Sequence, residues 1–319
     1  MITNSLEVAV AERAAHAEQV GPETVVAVSG LRKSFGDHEA VRGLELEIRR
    51  GEIFAFLGPN GAGKTTTVEI LEGFLTLDAG TVRVLGVDPS RAPLSWRERV
   101  GIVLQESSPE PELTVRECLE LYAGWYRAPR GIDETLALAG LADRAERRTG
   151  MLSGGERRRL DMALALIGDP ELIFLDEPTT GFDPAARRAA WQVIDGLRRP
   201  GKTVFLTTHY MEEAEQLADR IAVLVDGRIV STGTPQTLGA RNRAAAQIVF
   251  GLPAGSELPA PLAARVTAAG GRAELATDRP TADLHALSGW ALEQGIELAD
   301  IEVRRPKLED VYLDLTDRS

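Results

Sequence analysis

The sequence predicts an α/β fold: a buried, mostly parallel sheet, interrupted by a helical stretch and followed by a small second domain. Three observations carry that reading. The apolar run Ile53 to Leu57 passes straight into a glycine-rich turn and then a helical stretch. Leu172-Ile173-Phe174-Leu175 and Thr203 to Leu206 are further runs of the kind seen in strands covered on both faces. After Leu238 the composition shifts to Ala, Pro and Gly, which marks a change of domain.

Taken in order, residues 1–24 are rich in Ala and Glu, pass through Gly21-Pro22, and read as a flexible tail. Val25 to Leu31 is a strand, and Leu44 to Ile48 alternates apolar and charged residues as a half-exposed strand does. The strand Ile53 to Leu57 follows Gly51-Glu52 and leads into the glycine-rich turn, or P-loop, and a helix is expected over Thr66 to Leu75. Thr81 to Leu85 is another alternating strand. Between about 90 and 165, helical stretches dominate (Val115 to Tyr126, Ile132 to Ala139, and from Ser153 onward), with strand signals fading after Gly101-Ile102-Val103-Leu104. The α/β pattern then returns. Leu172 to Leu175 is a strand, Ala185 to Arg198 an amphipathic helix, Thr203 to Leu206 a strand and Met211 to Ala218 a helix. Ile221 to Val225 and Arg228 to Ser231 flank Asp226-Gly227, a strong hairpin signal. In the last domain, 241–319, Gln247 to Phe250 and Ile301 to Val303 are candidate strands and Leu284 to Glu293 a candidate helix.

The chemistry gathers at strand ends. Gly58-Pro59-Asn60-Gly61-Ala62-Gly63-Lys64-Thr65 matches the phosphate-binding pattern GxxxxGK[ST]. Its glycines let backbone N–H groups turn inward on a phosphate chain. Lys64 reaches the outer phosphates and Thr65 offers a hydroxyl to Mg²⁺. Leu172 to Leu175 ends in Asp176-Glu177, a carboxylate for the metal and a second one to accept a proton from water. Thr203 to Leu206 ends in Thr207-Thr208-His209. Ligands of parallel sheets sit beyond the carboxyl ends of strands, so Lys64, Asp176, Glu177 and His209 are expected to converge. Ser153 has the chemistry of an N-cap, and Gly154-Gly155 expose N–H groups at a helix start, a second anion site.

Composition bounds the rest. The 319 residues suffice for one large or two modest domains, with 44% apolar and 26% charged residues as in an ordinary globular chain. A net charge of −12 argues against a nucleic-acid partner, whose phosphates are held mainly by Lys and Arg. Arg157-Arg158-Arg159 is the best basic candidate and reads as a solvated helix face. The single cysteine, Cys118, supports neither a disulfide framework nor a zinc cluster and reads as a buried thiol in a reducing compartment. No apolar run approaches the roughly 18 residues that span a bilayer, and the first residues read as neither signal peptide nor anchor.

The ordered set GPNGAGKTT (58–66), Gln105, LSGGE (152–156), LIFLDEP (172–178), FDP (182–184) and His209 resembles the ATP-binding cassette (ABC) ATPases over about residues 25–240. The resemblance implies a P-loop NTPase ABC ATPase core with a helical subdomain (about 90–165), a β-rich N-terminal part and a small α+β C-terminal accessory domain (241–319). It implies that Phe35 stacks on adenine and that Gly58 to Thr66 bind the phosphates of ATP. Thr65, Gln105 and Asp176 would complete the Mg²⁺ shell. Glu177 would be the general base, and His209 would sense the γ-phosphate. Ser153, Gly154, Gly155 and Glu156 would meet the ATP of an opposite subunit, with Asp183 at the interface of an ATP-sandwich homodimer. Phe35 stands where the family often has Tyr, and Phe182 where it usually has Leu; neither removes a catalytic group.

Stretches 156–184 and 207–235, with PKLEDVYLDLT (306–316), are similar to the daunorubicin-resistance-type subunits that pair with ABC-2-type permeases. That implies a motor on the cytoplasmic face of a membrane, driving a separate permease to export a drug, antibiotic or lipid. An importer motor and a soluble ABC ATPase acting on ribosomes or DNA stay open as alternatives. The single cassette, the charge, and only about 90 residues between P-loop and LSGGE speak against the second. The C-terminal domain is expected to stabilise the dimer.

Overall fold

The structure is a computed structural model that describes residues 24–103, 109–198, 201–239, 245–253, 255–269, 271–304 and 307–317. The tail (up to residue 23), Leu104 and Gln105 lie outside the described residues. The chain divides into two compact units, one ending at Pro235 and one beginning at Gln236.

In the first unit, β1 (Thr24–Phe35) and β2 (His38–Arg49) form a hairpin that pairs with β4 (Ala79–Val84) in an antiparallel sheet ordered β2-β1-β4. β1 runs beyond Leu31 because register shifts at Val28 and Leu31 break its alternation without ending the pairing, which continues to Phe35 opposite His38. β3 (Ile53–Leu57) leads into helix α1 (Lys64–Glu72). The helix is shorter than Thr66 to Leu75 at its end: Gly73 adopts a left-handed conformation (φ 82°) and caps it.

The short helix α2 (Leu94–Arg97) and β5 (Val100–Val103) correct the expected limits of the helical subdomain. Trp96 is buried in the core under the antiparallel sheet, where its indole N–H donates to Val84 O at 2.8 Å. β5 pairs with β6 (Leu172–Asp176) in the parallel sheet. Helical packing begins only around Leu113. There α3 (Val115–Ala123), α4 (Ile132–Leu138) and α5 (Gly154–Leu166) share an apolar cluster that includes Val115, Leu119, Leu136 and Leu160. Cys118 is buried in it, and burial pushes its thiol up to about 11.

The remaining elements are α6 (Pro184–Gly196), β7 (Thr203–Thr208), α7 (Met211–Leu217), β8 (Arg220–Val225) and β9 (Arg228–Gly233). They complete a six-stranded sheet ordered β5-β6-β7-β3-β8-β9, with only β9 antiparallel. Phe54, Phe56 and Phe174 gather around Phe205 at 5.6–6.0 Å between ring centroids, tying β3, β6 and β7 together beneath their carboxyl ends. β7 lies between the P-loop strand and β6, with Leu57 in register with Thr208 and Asp176 with Thr207. Adjacent strands are about 4.8 Å apart, so the P-loop and Asp176 begin at one level with a gap of roughly 10 Å between them.

The second unit is a four-stranded antiparallel sheet ordered β11-β12-β10-β13. Its strands are β10 (Ala246–Gly251), β11 (Val266–Ala269), β12 (Arg272–Thr277) and β13 (Ala299–Arg304). Helices α8 (Ala260–Ala263), α9 (Pro280–Glu293) and α10 (Leu308–Asp317) complete it. Ile248, Phe250, Leu275 and Leu287 anchor its core. The alanine-rich β11 and β12 give too weak an apolar alternation to be read from sequence.

Candidate functional site

The glycines of the P-loop stand where larger residues do not fit. A Cβ on Gly58 would lie 2.4 Å from Leu224 O, and one on Gly63, at φ +100°, would lie 2.3 Å from Ala40 O. The two ends of the loop are thus packed closely against β8 and β2. Thr67 Oγ1 donates to Gly63 O at 2.8 Å and locks the first turn of α1. Lys64 is buried and donates from Nζ to Gly58 O (2.7 Å) and Pro59 O (3.0 Å). Burial lowers its pKa, while Glu177 and Asp176 pull it back up. Pro59, Asn60, Gly61 and Thr65 are exposed, Thr66 half-buried and Ala62 buried. Phe35, at the tip of the β1–β2 hairpin, is 51% exposed.

Across β7, the carboxylates are held by a small network. Thr207 Oγ1 donates to Asp176 Oδ1 at 2.5 Å and accepts from the Glu177 N–H at 3.0 Å. Glu177 takes a left-handed backbone conformation, φ +44°, which is uncommon for a residue with a side chain. Its Oε2 accepts from Thr180 Oγ1 at 3.0 Å and lies 3.3 Å from His209 Nδ1. Lys64, Asp176, Glu177 and His209 therefore converge on one end of the sheet, as their strand positions predict.

Three residues of this neighbourhood escaped the sequence reading. Glu213 is fully buried, and its Oε1 accepts from Thr179 Oγ1 (2.8 Å) and Trp191 Nε1 (2.9 Å). It ties α7 to the loop after Glu177 and to α6. The signal was available: Glu213 and Leu217 share a face of α7, and a carboxylate on an apolar stripe implies a buried donor. Glu72 lies on the buried side of α1; burial, then the Asp176 and Glu69 carboxylates, push it up to about 8. The third, Arg158, corrects the reading of 157–159 as a solvated face, since it is 7% exposed.

Ser153 caps α5 in a reciprocal box: the Glu156 N–H donates to Ser153 Oγ (3.3 Å) and the Ser153 N–H to Glu156 Oε2 (2.9 Å). Glu156 also accepts from Arg144 Nε at 2.7 Å. The Ser153 N–H first, and Arg144 second, lower its pKa to about 2. Asp183 caps α6, accepting from the Ala185 and Ala186 N–H groups at 2.9 and 2.8 Å. Ser153, Gly154, Gly155, Glu156, Glu177 and Asp183 line one open cleft of about 870 Å³. No P-loop residue is among those that line it. The LSGGE cleft is thus distinct from the phosphate cradle, and Glu177 is among the residues that line it.

Among the described residues no group of three or more His, Cys, Asp or Glu side chains is placed to cage a metal. Mg²⁺ is usually held by one or two protein groups together with phosphate oxygens. Asp176, anchored by Thr207, and the exposed Thr65 fit that need. Gln105, the third candidate, lies outside the described residues.

A phosphate cradle and a strand-end carboxylate pair at one end of a sheet, with a separate LSGGE cleft at a helix start, define an ATP-binding cassette. The family model described as "ABC transporter" matches residues 41–180, and one described as "ABC transporter domain-containing protein-like, C-terminal domain" matches 246–307. The chain is 42% identical to Daunorubicin resistance ATP-binding protein DrrA3 of Streptomyces coeruleorubidus, over 92% of this chain and 96% of that one. It is 39% identical to Nod factor export ATP-binding protein I of Ralstonia nicotianae, over 94% of this chain and 96% of that one. Among solved structures, a cassette in dimeric post-hydrolysis form with ADP and Pi is 28% identical, with TM-score 0.58, over 66% of this chain and 98% of that one. A Clostridium perfringens cassette from the transporter complex cbiONQ is 25% identical, with TM-score 0.61, over 67% and 90%. The chain belongs to the ATP-binding proteins of ABC transporters, and its whole-length similarity puts it with the daunorubicin-resistance type. Among the described residues no helix is long and apolar enough to cross a membrane.

Proposed function

We propose that this protein hydrolyses ATP to drive a separate ABC-2-type permease that exports a drug, antibiotic or lipid, from a position on the cytoplasmic face of the membrane. The observation that carries the hydrolytic part is the Glu177 carboxylate. One of its oxygens is fixed by Thr180 and His209, beside Asp176 and across β7 from Lys64. Lys64 and the P-loop amides hold the phosphates, and Phe35 stacks on the adenine. Thr65 and Asp176, with Gln105, would hold Mg²⁺, which supplies charge neutralisation on the phosphates when bound. Glu177 accepts a proton from water as the water oxygen bonds to the γ-phosphorus and the bond to the bridging oxygen of ADP breaks. His209 keeps Glu177 aimed and lies within reach of the γ-phosphate.

No P-loop residue lines the cleft of Ser153, Gly154, Gly155 and Glu156, which supports a homodimer in which each such cleft closes over the ATP on the partner's P-loop. Closure on ATP and reopening after hydrolysis would shift the permease between its two states. The exporter reading rests on whole-length similarity to relatives named for daunorubicin resistance and Nod factor export.

Purified Glu177→Gln protein tests both parts. A general base contributes about 10²- to 10⁴-fold, so hydrolysis should fall by that factor while Mg-ATP still binds and light scattering shows an ATP-dependent dimer. Unchanged hydrolysis would remove Glu177 from the mechanism. A monomer at saturating ATP would remove closure without the permease, and copurification with the permease would then test the partner.

A further inference from the structure

Arg158 lies in α5, a turn and a half after Ser153, and its charge is turned inward. Its Nη2 donates to Asp176 O at 2.8 Å and its Nε to Pro178 O at 3.3 Å. These carbonyls stand on either side of Glu177. A single buried guanidinium therefore clasps the backbone that carries the general base. Asp161, one turn further along α5, is also buried, but its carboxylate is 3.9 Å from Nη1, so the clasp is the closer engagement.

The turn needs holding. At φ +44° Glu177 occupies a region that residues with side chains adopt only where the surroundings enforce it. Thr207 enforces it from β7, through Oγ1 at 3.0 Å and O at 3.2 Å from the Glu177 N–H. Arg158 enforces it from the other side, with charge-assisted bonds that are stronger than neutral ones. A planar guanidinium reaches two carbonyls at once, which an ammonium at the end of a lysine cannot do in the same geometry.

We propose that Arg158 is a positioning residue for hydrolysis: it holds the Glu177 turn in its left-handed conformation and so aims the carboxylate. Because Arg158 sits about 7.5 Å along α5 from Ser153, the aim of the base is tied to the placement of the helix that lines the LSGGE cleft. The inference rests on the reading of Glu177 as general base.

The test uses full-length Arg158→Met, which keeps the length and loses every donor, and Arg158→Lys, each alone and combined with Glu177→Gln. A misaimed reacting group costs about 10- to 100-fold, so kcat of Arg158→Met should fall by that much while the KM for Mg-ATP stays within about twofold. Arg158→Lys should recover part of the loss. In single-turnover assays on the Glu177→Gln background, adding Arg158→Met should change the residual rate by less than about twofold, because the clasp then has no base left to aim. Equal losses in both backgrounds, or a raised KM with unchanged kcat, would overturn the proposal. If Arg158→Met does not fold, the same comparison is read from Arg158→Lys, whose rate must fall in the Glu177 background alone. Wild-type hydrolysis by Glu177→Gln itself would instead sink the general-base reading, and that outcome is visible before Arg158 is touched.

Discussion

The P-loop and the Glu177 turn face one another across β7, yet they are built in opposite ways. The side-chain bonds of the P-loop are local, although its backbone is packed against β2 and β8. Lys64 bonds to Gly58 and Pro59, and Thr67 to Gly63, all within a few residues of one another. The Glu177 turn borrows from distant segments: Thr207 and His209 from β7 and the loop after it, Arg158 from α5. Glu213 of α7 secures Thr179, just beyond the turn. A cradle for a constant chemical group can be written into one short motif. The carboxylate of Glu177 is held where three separate segments of the chain meet.

The broadest way to break this comparison is to remove what lies under both sides. Phe205→Ala deletes the ring around which Phe54, Phe56 and Phe174 pack, and should cost about 3–5 kcal/mol in urea unfolding. Nucleotide binding and hydrolysis should then weaken together. Gly63→Ala acts on the cradle alone. The left-handed backbone costs about 1–3 kcal/mol there, and the new methyl meets Ala40 O, so ATP affinity should drop with little change in the LSGGE cleft. Fluorescent-nucleotide titration checks it.

Glu213→Ala acts on the side of the turn and leaves the cradle's own bonds intact. It strands the Thr179 hydroxyl and the Trp191 N–H, at about 1–3 kcal/mol, and should lower kcat while ATP binding persists. The smallest effect concerns Glu156. Its folded pKa, about 2, lies below the ordinary carboxylate value, so its contribution to stability is complete above about pH 4.5 and fades as pH falls towards 2. Glu156→Gln should flatten acid unfolding in that window and leave stability above it pH-independent on this account, as a denaturant series at several pH values would show.

Much of the molecule was legible because its signals are local. Gly58 to Thr65 needs only its own glycines and lysine to be read. The unbroken apolar runs of β3, β6 and β7 announced strands buried on both faces, and Asp226-Gly227 announced the β8–β9 hairpin. Ser153 as a cap followed from its place before an apolar helix. What failed was decided by partners far away in sequence. The strand signal of β5 is legible, but inside a stretch, about 90–165, that reads as the helical subdomain; β5 belongs instead to the parallel sheet because β6, some 70 residues later, offers it an open edge. Arg158 reads as one of three solvated arginines, yet it is buried because two carbonyls about 20 residues away accept its protons. Sequence by itself determined that a phosphate-binding pattern, a carboxylate pair and a capped glycine pair at a helix start are present, since each is written in adjacent residues. Only the tertiary structure decided that the first two share a sheet end, that Glu177 also lines the cleft of the third, and that Arg158 of α5 bonds to the Glu177 turn, because those facts depend on strand order and long-range hydrogen bonds.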